Sequence, residues 1–341
     1  MKTNKTKIAI AGIGTVGNGL LDLLKKNNCY KNQIEISAIA SRRKNIFEGK
    51  IFSNTKIFKD AADLIKFDNY DILVELIGGE DGVSKKIIFN ALKKKKSVVT
   101  ANKALVSKYF NELRTLSSEN GGRIKFEAAV AGGIPIIKVI NEFLISNQIR
   151  RIYGILNGTS NFILSKMLSS NEQFKKILSE AQKLGYAESD PTFDLDGTDT
   201  AHKLTILSSL AFNFNIDTYN IENEGINDIN LLDLSIADSL GYKIKLLGIT
   251  EVNKNKIKNF VYPCLLPKNS FIAKVDGVYN GVVVESDFCK KSCFIGEGAG
   301  SYPTATSVYS DIIGLMENKS DGQKIKEKLN NYKIMFLNER F

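Results

Sequence analysis

Between Glu188 and Asp199 the chain places five carboxylates within twelve residues, at 188, 190, 194, 196 and 199, and Lys203 follows four positions later. Residues four apart share a helix face, so a helix here would bring Asp199 and Lys203 together. A carboxylate at that distance favours the charged form of a lysine. A lysine kept as an ammonium can donate a proton, or stabilise charge developing on a carbonyl oxygen. The other carboxylates suit a cationic group on a small substrate, such as an α-amino group. A solvated acidic loop capping a helix would carry the same residues. A calcium loop is a third use of clustered acids, but the spacing lacks the alternating ligands and terminal Glu of an EF-hand. His202 falls on another face of the same helix and is expected to be structural.

A second group lies near the start, where Gly12-Ile13-Gly14-Thr15-Val16-Gly17 joins an apolar run, Ile8 to Ala11, to a segment of helical periodicity. A second strand, Ile34 to Ala40, follows. A strand, a G-x-G-x-x-G turn, a helix and a further strand in that order point to a dinucleotide site. Gly12 permits the tight turn, Gly14 lets backbone approach a pyrophosphate, and Gly17 lets helix and strand pack closely. The pyrophosphate then sits at the helix N-terminus. After the second strand, where an NAD site usually has an acid for the ribose, the chain reads Ser41-Arg42-Arg43-Lys44. Arg42 or Arg43 could hold a 2′-phosphate by charge-assisted bonds. These residues favour NADPH and leave NADH open; surface cations after a strand are the plainer reading.

These groups need a scaffold. The strands Asp71 to Ile77, Ser97 to Thr100 and Arg123 to Ala128 alternate with helices over Ser84 to Lys96 and around Lys108 to Ser118, which predicts a doubly wound parallel sheet. Ligands of such sheets lie beyond the strand carboxyl ends. Gly78-Gly79 and Thr100 to Lys103 lie at two such ends, which places Lys103 near a nicotinamide. From Gly132 the alternation breaks. A helix Ile136 to Leu144, a strand Arg151 to Leu156 and helices Phe162 to Ser169 and Glu172 to Leu184 precede the acidic stretch, and Val261 to Leu266 and Val278 to Glu285 have strand character. At 341 residues, with 43% hydrophobic and 25% charged residues, the chain has the composition of a globular protein of about two domains. No apolar run is long enough to span a membrane. The net charge of +10 is mostly lysine spread along the chain, and no basic helix is interleaved with aromatics, so a nucleic-acid partner is not expected. The run Lys93 to Lys96 ends a helix, where cations are favoured. Cys29, Cys264, Cys289 and Cys293 form no CxxC pair and there is one histidine, which excludes a Cys/His zinc site and fits reduced thiols in a cytoplasmic protein.

Taken together, GIGTVG (12–17), VELIGG (74–79), VTANKAL (99–105), FEAAVAGGIPII (126–137), GILNGTSNFIL (154–164), LGYAESDPTFDLDGTDTAHKL (184–204) and GEGAGSYPTA (296–305) resemble homoserine dehydrogenase over nearly the whole chain. The long acidic motif carries most of the resemblance. It implies NAD(P)H-dependent reduction of L-aspartate 4-semialdehyde to L-homoserine, on the shared route to threonine, methionine and isoleucine. By position, the resemblance makes Lys203 the proton donor and sets Lys103 near nicotinamide and substrate. Glu188 would bind the substrate amino group, with Asp194, Asp199, Gly158 and Thr159 completing the pocket. Ile13, Thr15, Val16, Thr100 and Gly298 would contact the cofactor, and a structural sodium or potassium ion would use Glu127, Val130, Gly132 and Ile134.

The family fold implies a Rossmann-like domain over residues 1–132, completed by about 300–341, and a substrate-binding and dimerisation domain of α+β type over 133–299. A homodimer or dimer of dimers is expected, without membrane or nucleic acid. The 36 residues after the PTA segment leave no room for a regulatory ACT domain, so threonine inhibition through one is not expected. A phosphorylating semialdehyde dehydrogenase would need a cysteine nucleophile near a histidine, and the four cysteines lie outside the motifs. A redox sensor or nucleic-acid binder on the same fold would need neither Lys103 nor Lys203.

Overall fold

The computed structural model describes residues 5–26, 30, 32–42, 54–214, 221–253 and 256–317. Among these, six strands form a parallel sheet: β1 (Thr6–Ala11), β2 (Ile34–Ala40), β3 (Lys56–Phe58), β4 (Ile72–Glu75), β5 (Ser97–Thr100) and β6 (Ile124–Lys125). Their order is β3-β2-β1-β4-β5-β6, so the chain reverses direction across the sheet between β1 and β4. A crevice opens at such a switch point, beyond the strand carboxyl ends.

The I-A-I-A run of β1 explains how two helical layers fit. Its side chains alternate between faces. Ile8 and Ile10 pack with Leu20, Leu21 and Leu24 of α1 (Thr15–Lys26), while Ala9 and Ala11 face Ile87, Ile88, Ala91 and Leu92 of α2 (Val83–Lys93). Fully burying one such aliphatic side chain contributes about 1.5–3 kcal/mol. The helices α3 (Lys103–Lys108) and α4 (Phe110–Asn120) follow β5 on the α2 side. Sequence periodicity suggests a single helix near Lys108 to Ser118. The chain instead forms two, because Asn102 caps α3 and Tyr109 leaves helical geometry between them.

The strand expected over Arg123 to Ala128 shortens to Ile124–Lys125. The chain turns at once into a 3-10 turn, Glu127–Ala129, held by a hydrogen bond from Glu127 N to Asp311 Oδ2 at 2.8 Å. The short helix α5 (Ile136–Lys138) continues as a wider turn through Phe143.

The second sheet has the order β12-β11-β7-β9-β10-β8. It comprises β7 (Ile149–Ile155), β8 (Glu222–Asn223), β9 (Tyr242–Asn253), β10 (Lys256–Pro267), β11 (Tyr279–Ser286) and β12 (Lys291–Glu297). Its pairs are antiparallel except β8 with β10. Helices α6 (Gly158–Ser170), α7 (Phe174–Lys183), α8 (Thr192–Leu195), α9 (Thr198–Phe212) and α10 (Leu231–Ser239) accompany this sheet. Leu204 and Leu207 of α9 share a core with Ile152, Leu246, Val261 and Val282 of the sheet. Helix α11 (Ser301–Glu317) returns to the first sheet, where Ala305, Val308 and Ile312 pack against the α1 layer. Residues 318–341 lie outside the described residues, as do Cys29, Arg43 and Lys44. Among the described residues no helix is long and apolar enough to cross a membrane, and Cys264, Cys289 and Cys293 are free thiols.

Candidate active site

The two lysines singled out by sequence lie 100 positions apart, and the fold brings them onto one carboxylate. Lys103 stands first in α3, after the carboxyl end of β5; Lys203 lies one turn into α9. Lys103 Nζ is 2.9 Å from Asp199 Oδ1. Lys203 Nζ donates to Asp199 Oδ2 at 2.6 Å and to the Leu156 carbonyl at 2.6 Å. An ammonium has three N–H bonds, and these two acceptors take two of those on Lys203. Asn157 Nδ2 adds a third donor to Asp199, at 2.8 Å. Burial pushes the Asp199 carboxyl up, but the ammonium groups of Lys203 and Lys103 outweigh it and hold the group well below the carboxylate range. In return the Asp199 charge raises Lys103 above the ordinary lysine value, against its partial burial.

Lys103 and Asp199 line a cavity of about 140 Å³ with Glu188, Asp190, Phe193, Asp194 and His202. Burial, followed by the charge of Asp199, pushes Asp194 up, and Asn157 Nδ2 donates to it at 2.7 Å. Asn157 is a residue the sequence reading passed over. It caps α6 by accepting Ser160 N at 2.8 Å and ties both carboxylates together with its amide nitrogen. The signal was present, since an Asn between a strand and a helix is a capping residue. Gly158, next in line, packs so closely that a Cβ would lie 2.7 Å from the Val278 carbonyl. The Thr159 hydroxyl donates to the Tyr186 carbonyl at 2.7 Å, pinning the acidic loop to α6. Glu188 is exposed at the cavity rim. His202, expected to be structural, lines the same cavity, because the first turn of α9 is open to it; burial lowers its imidazole value.

The dinucleotide turn lies at the switch point. Gly12 has φ +100°, and a Cβ there would lie 2.7 Å from the Leu76 carbonyl at the end of β4. A Cβ on Gly17 would lie 2.5 Å from the Gly12 carbonyl, whereas Gly14 faces open space, the room a pyrophosphate needs. The first turn of α1 holds no acid, which leaves its dipole free for an anion. Ile13 anchors the turn in the core, while Thr15 and Val16 open α1. Arg42 is exposed just beyond β2. Thr100 is buried and its hydroxyl donates to Glu75 Oε2 at 2.6 Å. Gly298 is buried where β12 leads into α11, and a Cβ there would overlap the Asn280 side chain at 2.1 Å.

Glu127 is 1% exposed. Its carboxylate accepts Ile137 N at 2.8 Å and Lys138 N at 2.9 Å. Burial pushes it up to about 7. The chain turns at Ala131 (φ +53°) and Gly132 (φ +44°), and the carbonyls of Gly132 and Ile134 each accept one hydrogen bond. Val130 is fully buried at the end of the same turn. A carbonyl oxygen keeps a second lone pair, so one carboxylate with carbonyl donors suits a hard monovalent cation. Among the described residues no three His, Cys, Asp or Glu side chains gather as a metal site.

A glycine-lined dinucleotide turn at the switch point of a parallel sheet, together with a polar cavity where Lys103 of that domain meets the acidic segment of the second, defines a nicotinamide-dependent oxidoreductase. The family model for the homoserine dehydrogenase NAD binding domain matches residues 12–127, and that for homoserine dehydrogenase matches residues 135–313. The chain is 42% identical to homoserine dehydrogenase of Neisseria gonorrhoeae, over 90% of this chain and 72% of that protein. It superposes on a homoserine dehydrogenase from Thiobacillus denitrificans with a TM-score of 0.88 and 41% identity, over 93% of this chain and 75% of that one. A hyperthermophilic archaeal homoserine dehydrogenase in complex with NADPH matches with a TM-score of 0.78 and 27% identity, over 92% of this chain and 98% of that one. The chain belongs to the homoserine dehydrogenase family.

Proposed function

We propose that the chain reduces L-aspartate 4-semialdehyde to L-homoserine with NADPH, NADH being the alternative donor, on the route to threonine, methionine and isoleucine. The observation that carries this reading is Asp199 holding Lys103 and Lys203 together beside a cavity rimmed by Glu188 and Asp194. The reduced nicotinamide supplies the hydride when bound. Gly12 to Gly17 hold its pyrophosphate, Arg42 its 2′-phosphate, and Thr100 and Gly298 frame the crevice. Glu188 and Asp194 receive the substrate ammonium, with Gly158 and Thr159 shaping that wall. Lys103 orients the aldehyde, and Lys203 delivers a proton to its oxygen through the N–H that Asp199 and Leu156 leave free. Asp199 keeps both lysines charged and in place.

A sodium or potassium ion fits Glu127, Val130, Gly132 and Ile134, where it would neutralise a costly buried carboxylate and hold the turn between the domains. The chemistry belongs in the cytoplasm. Exposed apolar side chains on strands of the second sheet, Leu265, Ile295 and Tyr279 among them, support a homodimer or dimer of dimers. The test follows NADPH and NADH oxidation with aspartate semialdehyde, with and without K⁺ or Na⁺. Aldehyde-dependent oxidation is expected, faster with NADPH; none with either nucleotide rejects the reading.

A further inference from the structure

Glu75 ends β4, after the apolar residues Ile72, Leu73 and Val74, and it is fully buried in the middle of the parallel sheet. Cross-strand register sets it beside Ala11 on one side and Thr100 on the other. Ala11 is the last residue before the Gly12 turn, and Thr100 is the last residue of β5 before the chain reaches Lys103. Glu75 therefore stands between the two loops that frame the crevice. An uncompensated buried carboxylate is costly, and among the described residues no ion pair reaches this one.

What stabilises Glu75 is a closed ring of hydrogen bonds. Its Oε1 accepts Ile77 N at 2.9 Å and Gly78 N at 3.0 Å, and its Oε2 accepts the Thr100 hydroxyl at 2.6 Å. Thr100 Oγ1 accepts Asn102 N at 3.0 Å. Asn102 Oδ1 caps α3 through Leu105 N at 3.1 Å, and its Nδ2 donates to the Gly79 carbonyl at 2.7 Å, which closes the ring. Gly78 and Gly79 have φ of +90° and +81°, and the space beside their α-carbons is open, so they form the lip of the dinucleotide crevice. Lys103 is the first residue of the helix that Asn102 caps. The lip and the lysine thus belong to one hydrogen-bonded unit whose shared acceptor is a single carboxylate.

We propose that Glu75 is a positioning residue for hydride transfer, holding in register the Gly78–Gly79 lip of the crevice and the start of the helix that presents Lys103. This rests on the reading under Proposed function. Misplacing a reacting group by about 1 Å can slow a reaction about 100-fold. Glu75→Gln keeps the shape but turns one acceptor into a donor, so either the two lip N–H groups lose their acceptor or the Thr100 hydroxyl must turn from donor to acceptor.

The test is a double-mutant cycle in the full chain. Glu75→Gln alone is expected to lower kcat about 10- to 100-fold, with the aldehyde KM within about threefold. In a Lys103→Ala background the same change should cost less than about threefold more, because coupled residues are not additive. A general loosening of the fold would multiply the two losses. A kcat for Glu75→Gln within twofold of wild type, or multiplying losses, overturns the proposal. Should Glu75→Gln not fold, Asn102→Ala breaks the next link and is judged by the same cycle. If the wild-type chain does not turn over the aldehyde, the functional reading fails, and NADPH fluorescence titration then decides for Glu75. A dissociation constant raised at least about threefold supports it, and an unchanged constant overturns it.

Discussion

Asp199 and Glu127 are both acids with almost no exposed surface, 5% and 1%, yet they are held on opposite sides of the ordinary carboxylate value. At Asp199 two lysine ammonium groups and an amide outweigh burial and keep the charge. At Glu127 burial dominates: two backbone N–H groups oppose it, the charge of Asp311 adds to it, and the carboxyl rises to about 7. Burial is nearly the same in the two regions, so the partners decide. Asp199 is complete within the chain, and its charge organises two cations for chemistry. Glu127 has backbone donors and only the charge of Lys138 to oppose its burial, and in the proposed cation site the missing charge would come from solution.

The largest test of this contrast removes a cation from the complete site. Lys203→Ala is expected to lower kcat by about 100- to 10,000-fold, the range lost with a positioned acid, while NADPH affinity stays within about threefold. Unchanged turnover rejects Lys203 as proton donor. Asp199→Asn keeps the shape and removes the charge that the two lysines share. Breaking a buried pair in this way costs about 3–5 kcal/mol, so a lower Tm is expected. The charge of Asp199 is also the main cause of the raised Lys103 value. Without it Lys103 loses its proton at lower pH, and the alkaline limb of the kcat profile moves down. A limb that stays in place, with the variant folded, would detach Lys103 from catalysis.

Much of this was legible in the residues themselves. The G-x-G-x-x-G turn was readable because a pyrophosphate requires glycines at fixed offsets, and the alternating Ile and Ala of β1 already encoded two helical layers. Asp199 and Lys203 were readable as a pair because helical spacing is local. Their meeting with Lys103 depends on how the two sheets pack, which no local pattern shows; there the family motifs supplied what periodicity lacked. Asn157 and Glu75 escaped notice for another reason. Each is a common residue at the end of a strand, and its importance lies in bonds to partners 25 to 42 positions away. That His202 lines the cavity while Lys203 does not could not be read from helical faces alone, because the cavity forms only where α9 meets the acidic loop and Lys103.

Glu188 sharpens the comparison from the exposed side. It lies at the cavity rim, in reach of a substrate cation. Glu188→Gln is therefore expected to raise the aldehyde KM about tenfold, within what a charge-assisted hydrogen bond contributes, while the cofactor constants change little. Movement of the cofactor constant alone would show that this rim does not face the substrate.

The smallest effect belongs to Glu127, and its sign follows from linkage. An acid whose folded value is raised holds its proton longer in the native state. The unfolded chain therefore releases that proton first, and stability falls as pH rises from about 4.5 to about 7. A sodium or potassium ion competes with that proton, so it has little to bind at pH 5 and a full carboxylate at pH 8. At ten times its dissociation constant such an ion adds about 1.4 kcal/mol, which for a chain of this size is a Tm gain of a few degrees. The gain from K⁺ or Na⁺ over choline at equal ionic strength should therefore appear at pH 8, nearly vanish at pH 5, and be absent in Glu127→Gln at both. Equal gains at the two pH values would mean that the ions act elsewhere on the protein, and Glu127 would then be a buried acid paired only with its own backbone.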